Sequence, residues 1–129
     1  MIRRSALRCT AVLLVASAAG CDDSSAPLTP CDEMVTLSAT RGTTPTIRWS
    51  PSCLAGSIMV EPLPVSQGFD SHWSVTAGTN LLAPGLRYGR LPAGATQNHQ
   101  AVPLDPDEPY TVILFGPEGN VIAEREFTP

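Results

Sequence analysis

Val35-Thr36-Leu37-Ser38-Ala39-Thr40-Arg41-Gly42-Thr43-Thr44-Pro45-Thr46-Ile47-Arg48-Trp49 decides the fold of this chain. Val35, Leu37 and Ala39 alternate with Thr36, Ser38 and Thr40, and Ile47 and Trp49 alternate with Thr46 and Arg48. A period of two is the mark of strands buried on one face only. Thr40-Arg41-Gly42-Thr43-Thr44 between them is turn chemistry. Pairing the strands about Gly42 sets Val35 against Trp49, Leu37 against Ile47, and Cys31 against Cys53. That register aligns both apolar faces, whereas a slip of one residue turns one of them outward. It also predicts a Cys31–Cys53 disulfide, because opposed Cβ atoms lie close to bonding range. A redox couple or zinc site is the poorer reading of the pair: there is no Cys-x-x-Cys, and only His72 and His99 could complete a zinc set.

Short strands continue outward from the hairpin. Ser57-Ile58-Met59-Val60-Glu61 is a third short strand stopped by Pro62 and Pro64, and His72-Trp73-Ser74-Val75-Thr76 is a fourth. A proline-glycine turn at Pro84-Gly85 precedes a short fifth strand ending near Gly89. Tyr110-Thr111-Val112-Ile113-Leu114-Phe115 is apolar at nearly every position, which predicts a central strand, and Val121 to Phe127 closes the chain after a turn at Gly116–Asn120. No useful window has a helical period. With 13 prolines and 10 glycines punctuating short strands, the expectation is an all-β antiparallel sandwich of about seven strands with one disulfide.

Two stretches carry a family resemblance. Leu104-Asp105-Pro106-Asp107-Glu108-Pro109-Tyr110 resembles the fibronectin type III pattern Leu-x-Pro-x-x-x-Tyr, the tyrosine corner leading into the sixth strand. Thr46-Ile47-Arg48-Trp49-Ser50-Pro51 is similar to that family's second strand, whose tryptophan fills the core. The resemblance implies a fibronectin type III-like, immunoglobulin-like sandwich over residues 31–129. It implies no activity, since such sandwiches host many binding roles.

The N-terminus supplies an address. Arg3, Arg4 and Arg8 precede a small and apolar run from Thr10 to Ala19, which ends in Ala18-Ala19-Gly20-Cys21. This is the layout of a secretory leader, and its last four residues resemble the lipobox of bacterial lipoproteins, in which the cysteine is acylated. The resemblance implies a signal peptide over 1–20, lipidation at Cys21, a tether over 21–30, and an exported protein held to a bacterial envelope membrane, inner or outer. Cleavage at Ala16-Ser17-Ala18 is the alternative, but it leaves Cys21, Cys31 and Cys53 in an oxidising compartment with one thiol unpaired. The apolar run is about half the roughly 20 residues that a membrane-spanning helix needs.

Without the leader, five arginines and no lysine face twelve carboxylates, a net charge of −7. Such a balance repels phosphate backbones and argues against a nucleic-acid partner. It also repels anionic headgroups, so attachment is expected through the lipid.

Candidate chemistry is thin. Asp105, Asp107 and Glu108 read as turn carboxylates rather than calcium ligands, because Pro106 and Pro109 stiffen the loop. No nucleophile motif or phosphate loop occurs. No cofactor or metal is expected. One ligand set comes from the loop Leu91–Gln100: Gln97, Asn98 and His99 offer uncharged polar groups suited to sugar hydroxyls, with Trp73 and Tyr88 as stacking faces. The expected role is a non-catalytic binding or structural module, whose partner is an envelope protein or glycan. A carbohydrate-binding module, a hydrolase with an unrecognised site and strand addition at an open sheet edge stand as alternatives.

Overall fold

The structure, a computed structural model, describes residues 26–65 and 70–129. The leader, Cys21 and the first part of the tether lie outside the described residues. Eight strands form: β1 (Thr36–Ala39), β2 (Thr46–Ser50), β3 (Ser57–Pro62), β4 (Trp73–Thr76), β5 (Leu86–Arg87), β6 (Thr96–His99), β7 (Tyr110–Phe115) and β8 (Val121–Phe127). They make two antiparallel sheets, β1-β2-β5 and β6-β4-β3-β7-β8. No helix occurs among the described residues. The chain is an all-β sandwich.

Each sheet turns one face inward, as the alternation requires. Leu37, Ile47, Trp49 and Leu86 come from the three-stranded sheet, and Ile58, Val60, Trp73, Val75, Val112 and Leu114 from the five-stranded one. β7 lies between β3 and β8, an interior position that accounts for its nearly continuous apolar run. The tyrosine corner is formed. The Asp105 N–H donates to the Tyr110 hydroxyl at 2.9 Å, and the Asp105 carboxylate accepts the Asp107 N–H at 2.9 Å.

The hairpin register differs from the sequence expectation by two residues. Leu37 faces Trp49 and Ala39 faces Ile47, where pairing about Gly42 set Val35 against Trp49 and Leu37 against Ile47. The loop explains the shift. The Thr40 N–H bonds the Thr46 carbonyl at 3.1 Å and the Thr46 N–H bonds Thr40 Oγ1 at 2.8 Å, so Arg41–Pro45 is the loop and Thr43 its centre. A shift of two keeps every side chain on its face, so the burial pattern is unchanged.

The disulfide forms as expected, with Cα atoms 4.9 Å apart across 22 positions, although it is not a rung of that hairpin. The segment before β1 runs parallel to the one after β2. The Cys31 N–H donates to the Leu54 carbonyl and the Leu54 N–H to the Thr29 carbonyl, each at 2.8 Å. Trp49 Nε1 donates to the Cys53 carbonyl at 2.8 Å, which ties the staple to the core tryptophan. Next, the Val35 N–H donates to the Ile122 carbonyl on β8 at 3.0 Å, linking the entry to β1 with the other sheet.

One strand is additional. Thr96–His99, read from sequence as part of a loop, pairs with β4 as the outer strand β6, with a register irregularity between Ser74 and Val75. Its exposed side chains carry no apolar alternation, which is why the period of two was absent.

Removing the staple should be expensive. A loop of this length restricts the unfolded chain by about 3 kcal/mol, so the double variant Cys31→Ala/Cys53→Ala is expected to lose that much in urea-unfolding stability, with the far-ultraviolet β-sheet spectrum kept.

Candidate functional site

The sequence-derived ligand set divides between core and edge. Trp73 is fully buried, and Tyr88 is nearly so. Their rings meet at 5.3 Å between centroids with a 60° tilt, an edge-to-face core contact. Neither presents a face to solvent for a sugar to stack on. Gln97, Asn98 and His99 lie on β6, and Asn98 Nδ2 donates to Thr76 Oγ1 at 2.6 Å. The five residues therefore do not form one surface. β6 is short, polar and irregularly paired, features that blunt a sheet edge against strand addition.

Tyr88 instead organises the end of the sandwich opposite the chain entry at Pro30. β1 runs away from the entry at Pro30 and β2 returns, so the Arg41–Pro45 loop marks the far end. There the Tyr88 hydroxyl stands 2.6 Å from the Val102 carbonyl and 3.1 Å from that of His72. Its single proton serves the nearer acceptor, while the Val102 N–H donates to His72 at 2.8 Å. The Tyr88 N–H also donates to the Pro45 carbonyl at 2.9 Å. Tyr88 thus ties the β1–β2 loop to the segment before the tyrosine corner, and Val102 in that segment bonds the start of β4 in turn.

These segments border a largely apolar cavity of about 440 Å³, lined by Thr43, Thr44, Tyr88, Ala101, Val102 and Leu104 among others. That lies in the size range of small-ligand sites. A second hollow of about 400 Å³, at the tether end, lies between Pro30, Cys31 and Asp32 and the β7–β8 turn at Pro117, Glu118 and Asn120. Its acidic, partly apolar lining and its position mark it as the seam around the chain entry.

Glu61 is the feature that sequence reading missed. It stands opposite Thr111 on the outer side of the five-stranded sheet, because the neighbouring Val60 and Val112 point into the core. Both residues are fully enclosed, and neither Glu61 carboxylate oxygen nor Thr111 Oγ1 has a hydrogen-bond partner among the described residues. Nothing in the local pattern signals this, since an outward glutamate at a strand end reads as solvated. No group of three or more histidine, cysteine or acidic side chains converges to hold a metal among the described residues.

No protein-family model, no curated protein and no solved structure matches this chain.

Two expectations follow. Burial pushes the Tyr88 phenol up to about 12, and the nearby Tyr110 adds to the rise. Because the fold keeps this phenol neutral above its ordinary 10.0, the stability it confers is whole below that pH and lost as pH climbs toward about 12. Ultraviolet titration should therefore show a late tyrosinate step near pH 12 that is absent in Tyr88→Phe. Separately, an enclosed carboxylate with no partner is destabilising. Glu61→Met should accordingly raise unfolding stability by about 1–3 kcal/mol, and a loss of stability instead would mean that the carboxylate holds a partner.

Proposed function

We propose that this protein is an exported, lipid-anchored protein of a bacterial envelope, and that its sandwich is a non-catalytic binding or structural module of the fibronectin type III-like kind. The observation that carries the reading is how the chain enters the domain. Ten residues after Cys21, the backbone is held on both sides of Pro30 by Leu54 and then bonded covalently to Cys53. A lipid on Cys21 would thus be coupled to the core through two backbone hydrogen bonds and a disulfide. The lipobox-like Ala18-Ala19-Gly20-Cys21 and the positive leader before it support the same reading.

The family resemblance is supported by the tyrosine corner at the start of β7 and by the β7–β8 hairpin that follows it. β6, added at the outside of the larger sheet, goes beyond a seven-strand plan. The far-end cavity bounded by Tyr88 and Val102 is the best seat for a partner. It is apolar, it is assembled from three chain segments, and it points away from the tether. The enclosed rings of Trp73 and Tyr88 remove the main support for a carbohydrate module.

Intact-mass measurement and membrane fractionation of the full chain expressed in a bacterium test the anchor. The expected result is a polypeptide beginning at Cys21 with the added mass of acyl glyceride, retained in the membrane fraction. Cys21→Ser is expected to lose both the mass and the processing. A soluble, unmodified wild-type chain would overturn the proposal.

A further inference from the structure

Without the leader the net charge is −7, yet the outer face of the three-stranded sheet carries cations. On the three-stranded sheet Ile47, Trp49 and Leu86 point inward, so Arg48 and Arg87 point out. Thr46 is the direct partner of Arg87, which places Arg48 and Arg87 diagonally adjacent on one face. Arg41 lies in the loop at the end of the same hairpin, and Arg90 follows β5. These are four of the five arginines outside the leader, and all four are exposed. The three strands and the two turns beside them contain no aspartate or glutamate. None of the four arginines has an ion pair among the described residues. Of the exposed carboxylates, Glu118, Glu124 and Glu126 sit on β8 and the turn before it, and Asp32 and Glu33 precede β1 at the entry of the chain.

Three of the arginines converge on one cleft. The Arg90 N–H closes a turn onto the Arg87 carbonyl at 3.0 Å, and Gly89 within that turn has φ +78°, a conformation suited to glycine. Arg87 and Arg90 then line a hollow of about 230 Å³ with Gly85, Leu91 and Pro92. Arg48 reaches the same place, since its Nη1 lies 3.8 Å from where a Cβ on Gly85 would stand. Like charges gathered on one face with no internal counter-ion repel one another. The arrangement is suited to oxyanions, which the planar guanidinium grips in a two-pronged fashion.

We propose that the outer face of the three-stranded sheet docks onto the anionic phosphate headgroups of the membrane that carries the anchor. Arg48, Arg87 and Arg90 take the phosphates, and the exposed Leu91 beside them enters the headgroup layer. The inference rests on the lipid-anchored reading given above. Charge complementarity selects an anionic partner, and the tether selects which one. Nine residues between Cys21 and Cys31 reach no more than roughly 30 Å, so the headgroups of that membrane are the polyanion always within range. The acidic β8 side is turned away from the same surface, so the domain lies on its smaller sheet.

The test is arginine-selective dicarbonyl labelling of the full-length acylated protein, read residue by residue by mass spectrometry. The protein is held in vesicles of phosphatidylcholine alone or of phosphatidylcholine with phosphatidylglycerol. Labelling of Arg48, Arg87 and Arg90 should slow several-fold only in the anionic vesicles and recover in high salt, while Arg125 on β8 is unaffected. Equal rates in the two vesicle types would overturn the proposal, as would equal slowing of Arg125. Slowing by a soluble acidic polysaccharide but not by vesicles would also overturn it and name a glycan as the occupant. Intact mass from the same sample separates this proposal from the anchor. An unacylated chain whose three arginines still slow on added anionic vesicles keeps the face and discards the anchor, whereas an acylated chain without slowing does the reverse.

Discussion

The covalent bond between Cys31 and Cys53, with the short parallel pairing beside it, is the constraint on which the architecture turns. It fixes where the chain enters, and with the Trp49 indole bonded to the Cys53 carbonyl it fixes the end of β2 against the core. From there the Val35 N–H reaches across to β8, and the two sheets are joined along that side by backbone as well as by side-chain packing. A domain of this size has a modest core and a stability of only several kcal/mol. A cross-link of about 3 kcal/mol is therefore a large share of what holds it together.

At the other end the organising group is a phenol rather than a disulfide. Tyr88 contacts Trp73 in the core, while its hydroxyl and backbone N–H bond the segment at Val102 and the β1–β2 loop at Pro45. The tyrosine corner at Tyr110 works alongside it, and the Tyr110 ring in turn meets His72 and Phe127. The far-end cavity exists because these two tyrosines pin the loops around it. Its shape depends on polar ties at buried positions, where each hydrogen bond is protected from water.

Much of the fold was legible because it was written locally. Alternation gave the strands of the hairpin and β4, proline and turn signals bounded β3 and β8, the apolar run gave β7, and Leu104 to Tyr110 announced its corner. The register of the hairpin was ambiguous in steps of two, because burial distinguishes only the face and not the partner; Thr40 and Thr46 settled it through bonds that no composition reveals. The disulfide was reached from the right residues through the wrong ladder. β6 was invisible because Thr96–His99 becomes a strand only by pairing with β4, a tertiary effect. The ligand set around Trp73 and Tyr88 joined residues that the fold separates into core and edge. Glu61 and the arginine face share one cause: both depend on which side of a sheet a charge falls, and a total over the chain erases that information.

The Cys31–Cys53 bond has a mechanical consequence as well. Any pull on the N-terminal tether enters at Pro30 and crosses the sulfur bridge to Cys53, from which it passes into β3 at the middle of the larger sheet. The stretch from Asp32 to Ser52, with β1 and β2, lies in a covalent bypass and carries none of the load. Strain arriving from the N-terminal side would therefore leave the smaller sheet unstretched and in register.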